Sequence, residues 1–336
     1  MKFKNFLTVR EWRVSLVTTM IVFVLSYLVH LYYFPTAFLT IPIREDSTEY
    51  KFTNPILFLR TDKSLYEGEF ESLTDKINNN ISEAVNNNKA DSVSVYFNDL
   101  NSAHWMGINE NTQYAPSSML KVVIMISALK SASEGNTLLS RELYYDGQED
   151  RGQTYKPEDK LTAGYYTIRE LINAMVLNSD NRATKAIFED SIINQEFNKV
   201  YKIFRLPNVS ATTSDFMTPR SYSSVFRILY NGGFMSTKQS DYILGFLTKT
   251  TFNKGLVAGV PTGTIVSHKF GEHTEAFDDE TVKWRELHDC GIVYYPTKPY
   301  LICIMTKGSN FSNLETVISG ISKTVYNYVN QSVINK

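Results

Sequence analysis

The longest uninterrupted apolar stretch of the chain lies near its amino terminus. Residues Val14–Phe34, VSLVTTMIVFVLSYLVHLYYF, form a run of 21 residues without a formal charge. At a rise of about 1.5 Å per residue, a helix of this length spans about 30 Å, which matches the hydrocarbon core of a bilayer. The pattern therefore predicts one transmembrane helix over residues 14–34.

The residues beside this run predict its orientation. The first 13 residues carry four basic side chains and one acidic one, and basic flanks remain in the cytoplasm. We therefore expect a cytoplasmic tail at 1–13, a signal-anchor at 14–34 and the rest of the chain outside the cytoplasm. A cleaved signal peptide is the alternative, because small residues follow the run at Pro35-Thr-Ala37. The length of the run and its bulky end, Tyr32-Tyr-Phe34, favour a retained anchor.

The remainder of the chain alternates between helical and extended patterns. Residues 35–55 contain three prolines and are predicted to be a tether, and 56–336 are predicted to form one globular domain. Apolar periodicity and capping residues predict helices over 72–85, 118–133, 167–177, 182–188, 219–232 and 314–328, and strands over 92–97, 264–270, 291–295 and 301–306. This order indicates an α/β (α+β) fold, in which strands from both chain ends form one sheet and a helical middle packs against it.

Composition and charge narrow the function classes. The chain is 43% hydrophobic and 21% charged, which excludes a disordered, collagen-like or coiled-coil protein. Because 34 basic residues face 35 acidic ones, there is no field to attract phosphate backbones, and nucleic acid is not expected as a partner. Five His residues include no His-x-x-x-His pair, and two cysteines are too few for a thiolate metal site. We therefore expect no metal and no cofactor.

A hydroxyl and an amine are placed together at the start of the most apolar helix. Ser118-Met-Leu-Lys121 puts the two side chains three residues apart, on one face of a helix. The helix amino terminus and the apolar surroundings should both lower the Lys121 pKa, so that the amine can take a proton from Ser118. Alone, this motif is weak, because a lysine near a helix start is usually structural.

Two further short motifs follow in the chain. Ser179-Asp-Asn181 lies in a turn between two predicted helices, where a hydroxyl could relay a proton and an amide could hold a substrate. Lys269-Phe-Gly271 ends a predicted strand, where it offers a cation for a substrate carboxylate and an open strand edge. Each sequence is common by itself, and the first is an ordinary turn and cap.

Together and in this order, the three motifs resemble the signature of the class A β-lactamase-like, penicillin-recognising serine hydrolases. The likeness extends from about residue 53 to the end. It includes Tyr114-Ala-Pro-Ser-Ser-Met-Leu-Lys-Val122 around the serine, the helical segment 168–181, and the strand Asp289-Cys-Gly-Ile-Val-Tyr294. The resemblance implies an antiparallel sheet flanked by helices, together with an all-helical subdomain.

The resemblance also implies roles for the motif residues. Ser118 would be the nucleophile, Lys121 its base, and Ser179 the donor of a proton to the leaving nitrogen. The backbone N–H groups of Ser118 and Glu272 would form the oxyanion hole. Asn181 and Lys269 would orient the substrate, and Gly271 would leave the strand edge open for it.

Two departures from the family pattern bear on turnover. Phe270 stands where the family carries Thr or Ser, although strand alternation can turn this ring away from the site. The Glu-x-x-Leu-Asn that activates the deacylating water is absent. The acids between the second motif and Pro219 are Glu189, Asp190, Glu196 and Asp215, and none of them begins this motif. The family loop that carries the motif is shortened here to about residues 205–216. Deacylation is therefore in doubt.

Three functions remain open from the sequence. The first is a β-lactamase, which must deacylate rapidly. The second is a D-alanyl-D-alanine peptidase or related esterase, and the third is a penicillin-binding or wall-binding module without turnover. The corresponding partners are a β-lactam or a peptidoglycan stem peptide outside the cytoplasm, and we expect a monomeric catalytic domain.

Two smaller features carry structural expectations. Assuming a four-residue turn at 296–299, Cys290 and Cys303 are predicted to lie diagonally on one face of a hairpin, as two small buried side chains rather than a disulfide. His268, His273 and His288 cluster near the third motif. We expect them to hold surface or hydrogen-bonded positions, although any one of them could line the cleft.

Overall fold

The computed structural model describes residues 19–20, 70–132, 137–148, 152–156, 160–208 and 214–334. Apart from residues 19 and 20, the predicted tail, transmembrane helix and tether lie outside the described residues, as does the last residue of the predicted helix 118–133. Within the part of the chain that is described, no helix is both long enough and apolar enough to cross a membrane.

A five-stranded antiparallel sheet forms the centre of the domain, in the order β2-β1-β7-β6-β5. Its strands are β1 Ser92–Asp99, β2 Trp105–Ile108, β5 Val266–Ala276, β6 Val282–Val293 and β7 Tyr300–Gly308. A separate hairpin pairs β3 Glu142–Tyr145 with β4 Gly164–Thr167. As expected, strands from both ends of the chain build one sheet, and β5 is one of its two edge strands.

Eight helices are described. They are α1 Glu71–Asn86, α2 Lys121–Ala132, α3 Ile168–Leu177, α4 Asn181–Phe188, α5 Ser191–Ile203, α6 Pro219–Tyr230, α7 Thr237–Leu247 and α8 Phe311–Ile334. Two of them start at the predicted signals: Thr167 and Glu170 form a capping box for α3, and Thr218 caps α6 with a proline in its first turn. Helices α5 and α7 were not predicted.

The sheet separates two apolar clusters. Alternate residues of β7 point to opposite faces, so Leu301 and Met305 contact the helical middle of the chain, and Ile302 and Ile304 contact α1 and α8. Helix α2, which has no charged residue between Lys121 and Lys130, lies inside the first cluster, as its pattern requires. This arrangement places the amino end of α2 beside the edge strand β5.

The sheet differs from the prediction in extent. The β5–β6 hairpin continues to Ala276 and starts again at Val282, well beyond the predicted strands 264–270 and 291–295. The added end of β5 is polar and partly exposed, and the added part of β6 places charged residues among apolar ones although it is buried from Glu286 to Cys290, so neither segment has the continuous apolar signal on which the prediction depended. Strand β2 and the β3–β4 hairpin were also missed, because each of these strands is only four residues long.

The cysteine expectation was wrong. Cys290 and Cys303 are directly opposite on β6 and β7 and form a disulfide. The connection between these strands spans residues 294–299 rather than 296–299, and the longer connection shifts the register by two positions. Both sulfurs are buried in the cluster on the helical side of the sheet.

Candidate active site

A short 3₁₀ turn, Ser117–Leu120, presents Ser118 before α2 begins. The predicted helix therefore starts as a tighter turn, and Ser118 is half-buried at its opening. Ser117 has a positive φ of 47°, an uncommon conformation for a residue other than glycine. The turn is fixed from below by Tyr222, whose hydroxyl donates to the Met119 carbonyl at 2.8 Å.

Two groups hold the segment that leads into this turn. The buried carboxylate of Glu286 accepts the Ala115 N–H at 2.9 Å, and the His288 ring lies 3.1 Å from the Ala115 carbonyl. Burial alone would raise the pKa of Glu286, but hydrogen bonding and charge from His288, the Ala115 N–H and Lys307 lower it below its usual value. An ionised carboxylate on β6 therefore positions the nucleophile segment.

Lys121 lies at the centre of the site. Its side chain is 3% exposed, and its Nζ is 2.8 Å from Ser118 Oγ. The same nitrogen is 2.7 Å from the Ser179 carbonyl oxygen, 3.1 Å from Ser179 Oγ and 2.6 Å from Asn181 Oδ1. The first two motifs therefore converge on one buried amine, with the candidate nucleophile in direct contact.

The second motif forms the turn between α3 and α4. Ser179 has a positive φ of 56°, which directs both its carbonyl and its hydroxyl toward Lys121. Asp180 had no role in the sequence interpretation, but it fixes this turn. It caps α4 through the N–H groups of Arg182 and Ala183, and its other oxygen accepts the Tyr145 hydroxyl at 2.9 Å.

Lys269 approaches the same serine from β5. Its Nζ is 3.0 Å from Ser179 Oγ and 2.9 Å from the Phe270 carbonyl, and the side chain is completely buried. Burial, and secondly the charge of Lys121, lower the Lys269 pKa well below its usual value, although Asp289 and Glu272 oppose the shift. The cation that the sequence offered to a substrate carboxylate is therefore enclosed behind Ser179.

Gly271 permits close contact between β5 and the nucleophile turn. A Cβ at this position would lie 2.8 Å from the Pro116 carbonyl oxygen and 2.9 Å from Met119 Cγ. Only glycine leaves enough space here. The third motif therefore lies against the first. The predicted second oxyanion donor, the backbone N–H of Glu272, belongs to the residue that follows Gly271.

The Phe270 side chain is buried in an aromatic cluster beside Lys269. Its ring stacks on Phe252 at a centroid distance of 4.1 Å and meets Tyr155 edge-on at 5.4 Å. The ring also lies 4.1 Å from Lys269 Nζ. A buried phenyl ring therefore stands where the family pattern carries the hydroxyl of Thr or Ser.

The side chain of Glu272 makes contacts that the sequence did not predict. Its carboxylate accepts the backbone N–H groups of Thr154 and Tyr155 at 3.0 Å and 3.1 Å. Burial raises the Glu272 pKa, and the hydrogen bonds from Tyr155 and Thr154 and the charge of Lys121 oppose this shift. Residues 153–155 carry no motif, so no local signal in the sequence marks them as part of the site.

The three histidines are hydrogen-bonded, in line with the default expectation. His268 is buried between Asp289 and Thr250, with both contacts at 2.8 Å, and it lines a cavity of about 310 Å³ beside β5. His288 contacts Ala115, and His273 lies 3.4 Å from Glu275. Within the described residues, no group of three His, Cys, Asp or Glu side chains is arranged to hold a metal ion.

Three of the four candidate deacylation acids have structural contacts. Asp190 caps α5 and pairs with Arg141, and Glu196 pairs with Lys199. Asp215 lies 3.7 Å from Lys307 on β7. Residues 209–213 of the shortened loop are outside the described part of the chain.

The fold and the convergence of the three motifs define a serine hydrolase of the penicillin-recognising class. The sequence profile described as the Beta-lactamase enzyme family matches residues 72–329, and the chain belongs to this family. It is a serine β-lactamase-like hydrolase with the α/β fold of that family. No curated protein matches the sequence.

Solved structures with the same fold include two kinds of protein. PBP-A is 20% identical, with a TM-score of 0.62 over 77% of this chain and 96% of that one. The TLA-1 extended-spectrum β-lactamase is 20% identical, with a TM-score of 0.63 over 76% of this chain and 99% of that one. A β-lactamase from Chitinophaga pinensis is 19% identical, with a TM-score of 0.63 over 77% and 99%. At these identities, the likeness establishes the fold alone.

Proposed function

We propose that the chain is a membrane-anchored, extracytoplasmic serine hydrolase whose Ser118 is acylated by a β-lactam or a D-Ala-type amide. The observation that carries this proposal is the 2.8 Å contact between Ser118 Oγ and the buried Nζ of Lys121. Desolvation favours an uncharged amine, which can accept a proton from the hydroxyl. A PBP-A mutant, which shares this fold, was solved as an acyl-enzyme complex with penicillin G.

The proposed reaction uses the contacts around Lys121. Ser118 Oγ attacks the carbonyl carbon while its proton passes to Lys121, and the developing oxyanion is stabilised by the N–H groups of Ser118 and Glu272. When the C–N bond breaks, Ser179 gives its proton to the leaving nitrogen, and it recovers one from Lys121 or Lys269. Its hydroxyl lies between these two amines, 3.1 Å and 3.0 Å away. Asn181 and Gly271 border the substrate.

We propose further that deacylation is slow. The family's Glu-x-x-Leu-Asn is absent from the sequence, and Asp190, Glu196 and Asp215 already contact basic side chains. Without a positioned base for water, the acyl-enzyme should accumulate. This favours a penicillin-binding peptidase, esterase or sensor over a rapid β-lactamase.

The proposed location rests on two observations. The sequence places an uncharged run of 21 residues behind a basic tail. The disulfide between Cys290 and Cys303 is typical of a domain that folds in an oxidising compartment. Both support a catalytic domain outside the cytoplasm, where cross-linked wall peptides and incoming antibiotics are found. We propose that this domain is monomeric.

Acylation can be tested on the full-length protein in detergent. We expect prolonged incubation with penicillin G to give a covalent adduct on the Ser118 peptide, detected by mass spectrometry. The adduct should be absent from Ser118→Ala. Lys121→Met should slow its formation by about 10²–10⁴-fold, the usual contribution of a general base. Lys130→Met, at the other end of α2, is the matched control and should react normally.

Turnover separates the remaining functions. Rapid hydrolysis of a chromogenic cephalosporin with no retained adduct would contradict slow deacylation and identify a β-lactamase. A retained adduct with D-Ala release from a stem peptide would identify the peptidase, and without D-Ala release it would identify the sensor. If Ser118 forms no adduct at high reagent concentration, the acylation proposal is wrong.

A further inference from the structure

Two consecutive threonines that follow helix α7 contact both β5 and α3. We refer to Thr250 and Thr251 as the bracket. Thr250 Oγ1 lies 2.8 Å from the ring nitrogen Nε2 of His268 on β5. The hydroxyl and the N–H of Thr251 both donate to the Leu177 carbonyl at 3.0 Å, where α3 ends. The bracket is therefore hydrogen-bonded to β5 on one side and to α3 on the other.

The two residues that the bracket contacts lie next to a pair of site residues. His268 immediately precedes Lys269, and Leu177 is separated from Ser179 by a single residue. Lys269 Nζ in turn lies 3.0 Å from Ser179 Oγ. Consecutive Cα atoms are only about 3.8 Å apart, so a displacement of His268 or Leu177 also displaces the lysine or the serine. The bracket therefore bears on the separation of these two side chains.

The β5 end of this connection is fixed by a carboxylate on β6. His268 Nδ1 lies 2.8 Å from Asp289 Oδ1, and Oδ2 of the same side chain accepts the Leu256 N–H at 2.8 Å. Because a carboxylate can only accept, Nδ1 carries the proton, and in the neutral ring Nε2 accepts the Thr250 hydroxyl. The Leu247 carbonyl is a more distant acceptor for that hydroxyl, at 3.4 Å. His268 is thus oriented through both ring nitrogens.

Two glycines leave the space that this buried pair occupies. A Cβ at Gly291, opposite His268 on β6, would lie 2.6 Å from His268 Cβ. A Cβ at Gly255 would collide with the Asp289 carboxylate. Both members of the pair are almost completely buried. The imidazole is confined on all these sides, so its bond to Thr250 fixes β5 relative to the bracket.

We propose that the bracket positions Lys269 against Ser179 and thereby supports protonation of the leaving nitrogen when Ser118 is acylated by an amide. This inference rests on the proposed acylation of Ser118. An amide nitrogen leaves readily only when it is protonated, and Ser179 is the proposed donor of that proton. The two threonines are positioning residues, because they act through the ends of β5 and α3.

The test compares an amide with an activated ester on the full-length protein in detergent. Penicillin G needs a proton on its leaving nitrogen, whereas the p-nitrophenyl ester of N-phenylacetylglycine releases p-nitrophenolate, a stable anion that needs none. In both reactions the Ser118 Oγ–acyl bond forms and the Ser118 proton passes to Lys121. The C–N bond breaks in the first reaction, and the ester C–O bond breaks in the second. Mass spectrometry follows the penicillin adduct, and absorbance follows the nitrophenolate burst.

Thr250→Val replaces the hydroxyl with a methyl group of similar size. We expect it to slow acylation by penicillin G about 10- to 100-fold, and to change the ester rate by less than about twofold, because only the amide needs the proton. Thr250→Ser, which keeps the hydroxyl, should restore the amide rate. The double variant Thr250→Val/Thr251→Val should be slower still with penicillin G. Equal amide rates for the single and double variants would exclude Thr251 from this role.

Thr248→Val is the matched control. Thr248 borders the same cavity of about 310 Å³ as Thr250, but its hydroxyl donates to the Gly245 carbonyl within α7. This variant should acylate at wild-type rates with both reagents. Thermal melts check that each variant is folded, and Thr250→Ala replaces Thr250→Val if the valine variant does not fold.

Failure of the inference and failure of the proposed function give different results. Equal slowing of both reactions by Thr250→Val, or an unchanged amide rate, would overturn the inference while acylation stands. If neither reagent labels Ser118, the proposed function fails. Where either reagent fails to label Ser118, crystal structures of the wild type and Thr250→Val decide the inference. It requires Lys269 Nζ to leave hydrogen-bond distance of Ser179 Oγ in the variant, and an unchanged contact would overturn it.

Discussion

Two buried lysines meet one serine in this site. Lys121 Nζ and Lys269 Nζ lie 3.1 Å and 3.0 Å from Ser179 Oγ, and both side chains are almost fully buried. Two ammonium groups that both contact the same hydroxyl would repel strongly, so the protonation of the two lysines is coupled. Burial opposes a second charge. The arrangement disfavours stability and favours proton transfer, as is common at functional sites.

At the residue scale, we predict that Lys269→Met raises the melting temperature near neutral pH while it slows acylation. Because the Lys269 pKa is lower in the folded state, the unfolded state binds its proton more tightly. The loss of folding stability caused by the charged Lys269 is complete below its folded-state pKa. It disappears as the pH rises through the pKa of about 10.4 that lysine has in the unfolded chain. The gain should be about 2–4 °C for each kcal/mol removed.

Paired thermal melts of wild type and variant across pH 7–10 check this prediction. The difference in melting temperature should shrink as pH rises. Lys254→Met, which removes a lysine that is largely exposed, is the control and should give no comparable gain. A Lys269→Met protein that is less stable than wild type at neutral pH would contradict the account.

At the element scale, the site depends on the contact between strand β5 and the 3₁₀ turn before α2. We predict that Gly271→Ala reduces acylation by about tenfold or more. Its Cβ would lie 2.8 Å from the Pro116 carbonyl oxygen, and a displacement of about 1 Å in a catalytic site can cost about 10²-fold in rate. The overpacking should also cost about 1–3 kcal/mol of stability.

Gly320→Ala is the matched control for this substitution. Gly320 lies within α8, and outside its own stretch of helix no atom is within 4 Å of the position that a Cβ would take. An alanine there should leave acylation unchanged and stabilise the helix by about 0.5–1 kcal/mol. Burst rates and melting temperatures of the two variants provide the comparison. Normal acylation by Gly271→Ala would show that β5 can move without cost to the site.

At the scale of the whole molecule, the disulfide joins the two central strands β6 and β7. We predict that the protein isolated from cells has no titratable thiol in denaturant and two after reduction. The double variant Cys290→Ala/Cys303→Ala should lose about 3 kcal/mol of stability, the usual effect for a closed loop of about 15 residues. Reduced wild type should melt like this variant.

The same measurement bears on the compartment. A disulfide in the isolated protein agrees with a domain outside the cytoplasm, where thiols are oxidised. Two free thiols in protein that is alkylated at lysis would contradict both the bond and the proposed location. Protease digestion of intact cells, which should degrade the catalytic domain only if it faces outward, gives an independent result.

Local patterns predicted much of the fold. The capping box of α3, the capped start of α6 and the apolar stretch within α2 depend on neighbouring residues, and they occur where their signals indicate. The short strand β2 and the polar ends of β5 and β6 were not predicted, because hydrogen bonds to a neighbouring strand stabilise them and their own sequence does not.

The sequence alone determined the identity and order of the reactive groups: a serine and a lysine one turn apart, a second serine in a turn, and a lysine and a glycine on a strand. Only the tertiary structure decided their environment. Lys269 is enclosed, Glu272 accepts hydrogen bonds from residues 154 and 155, which carry no motif, and Cys290 lies opposite Cys303. The physical reason is that spacing along a chain fixes contacts within a helix or a turn, whereas burial, strand register and contacts between distant segments depend on how the whole chain packs.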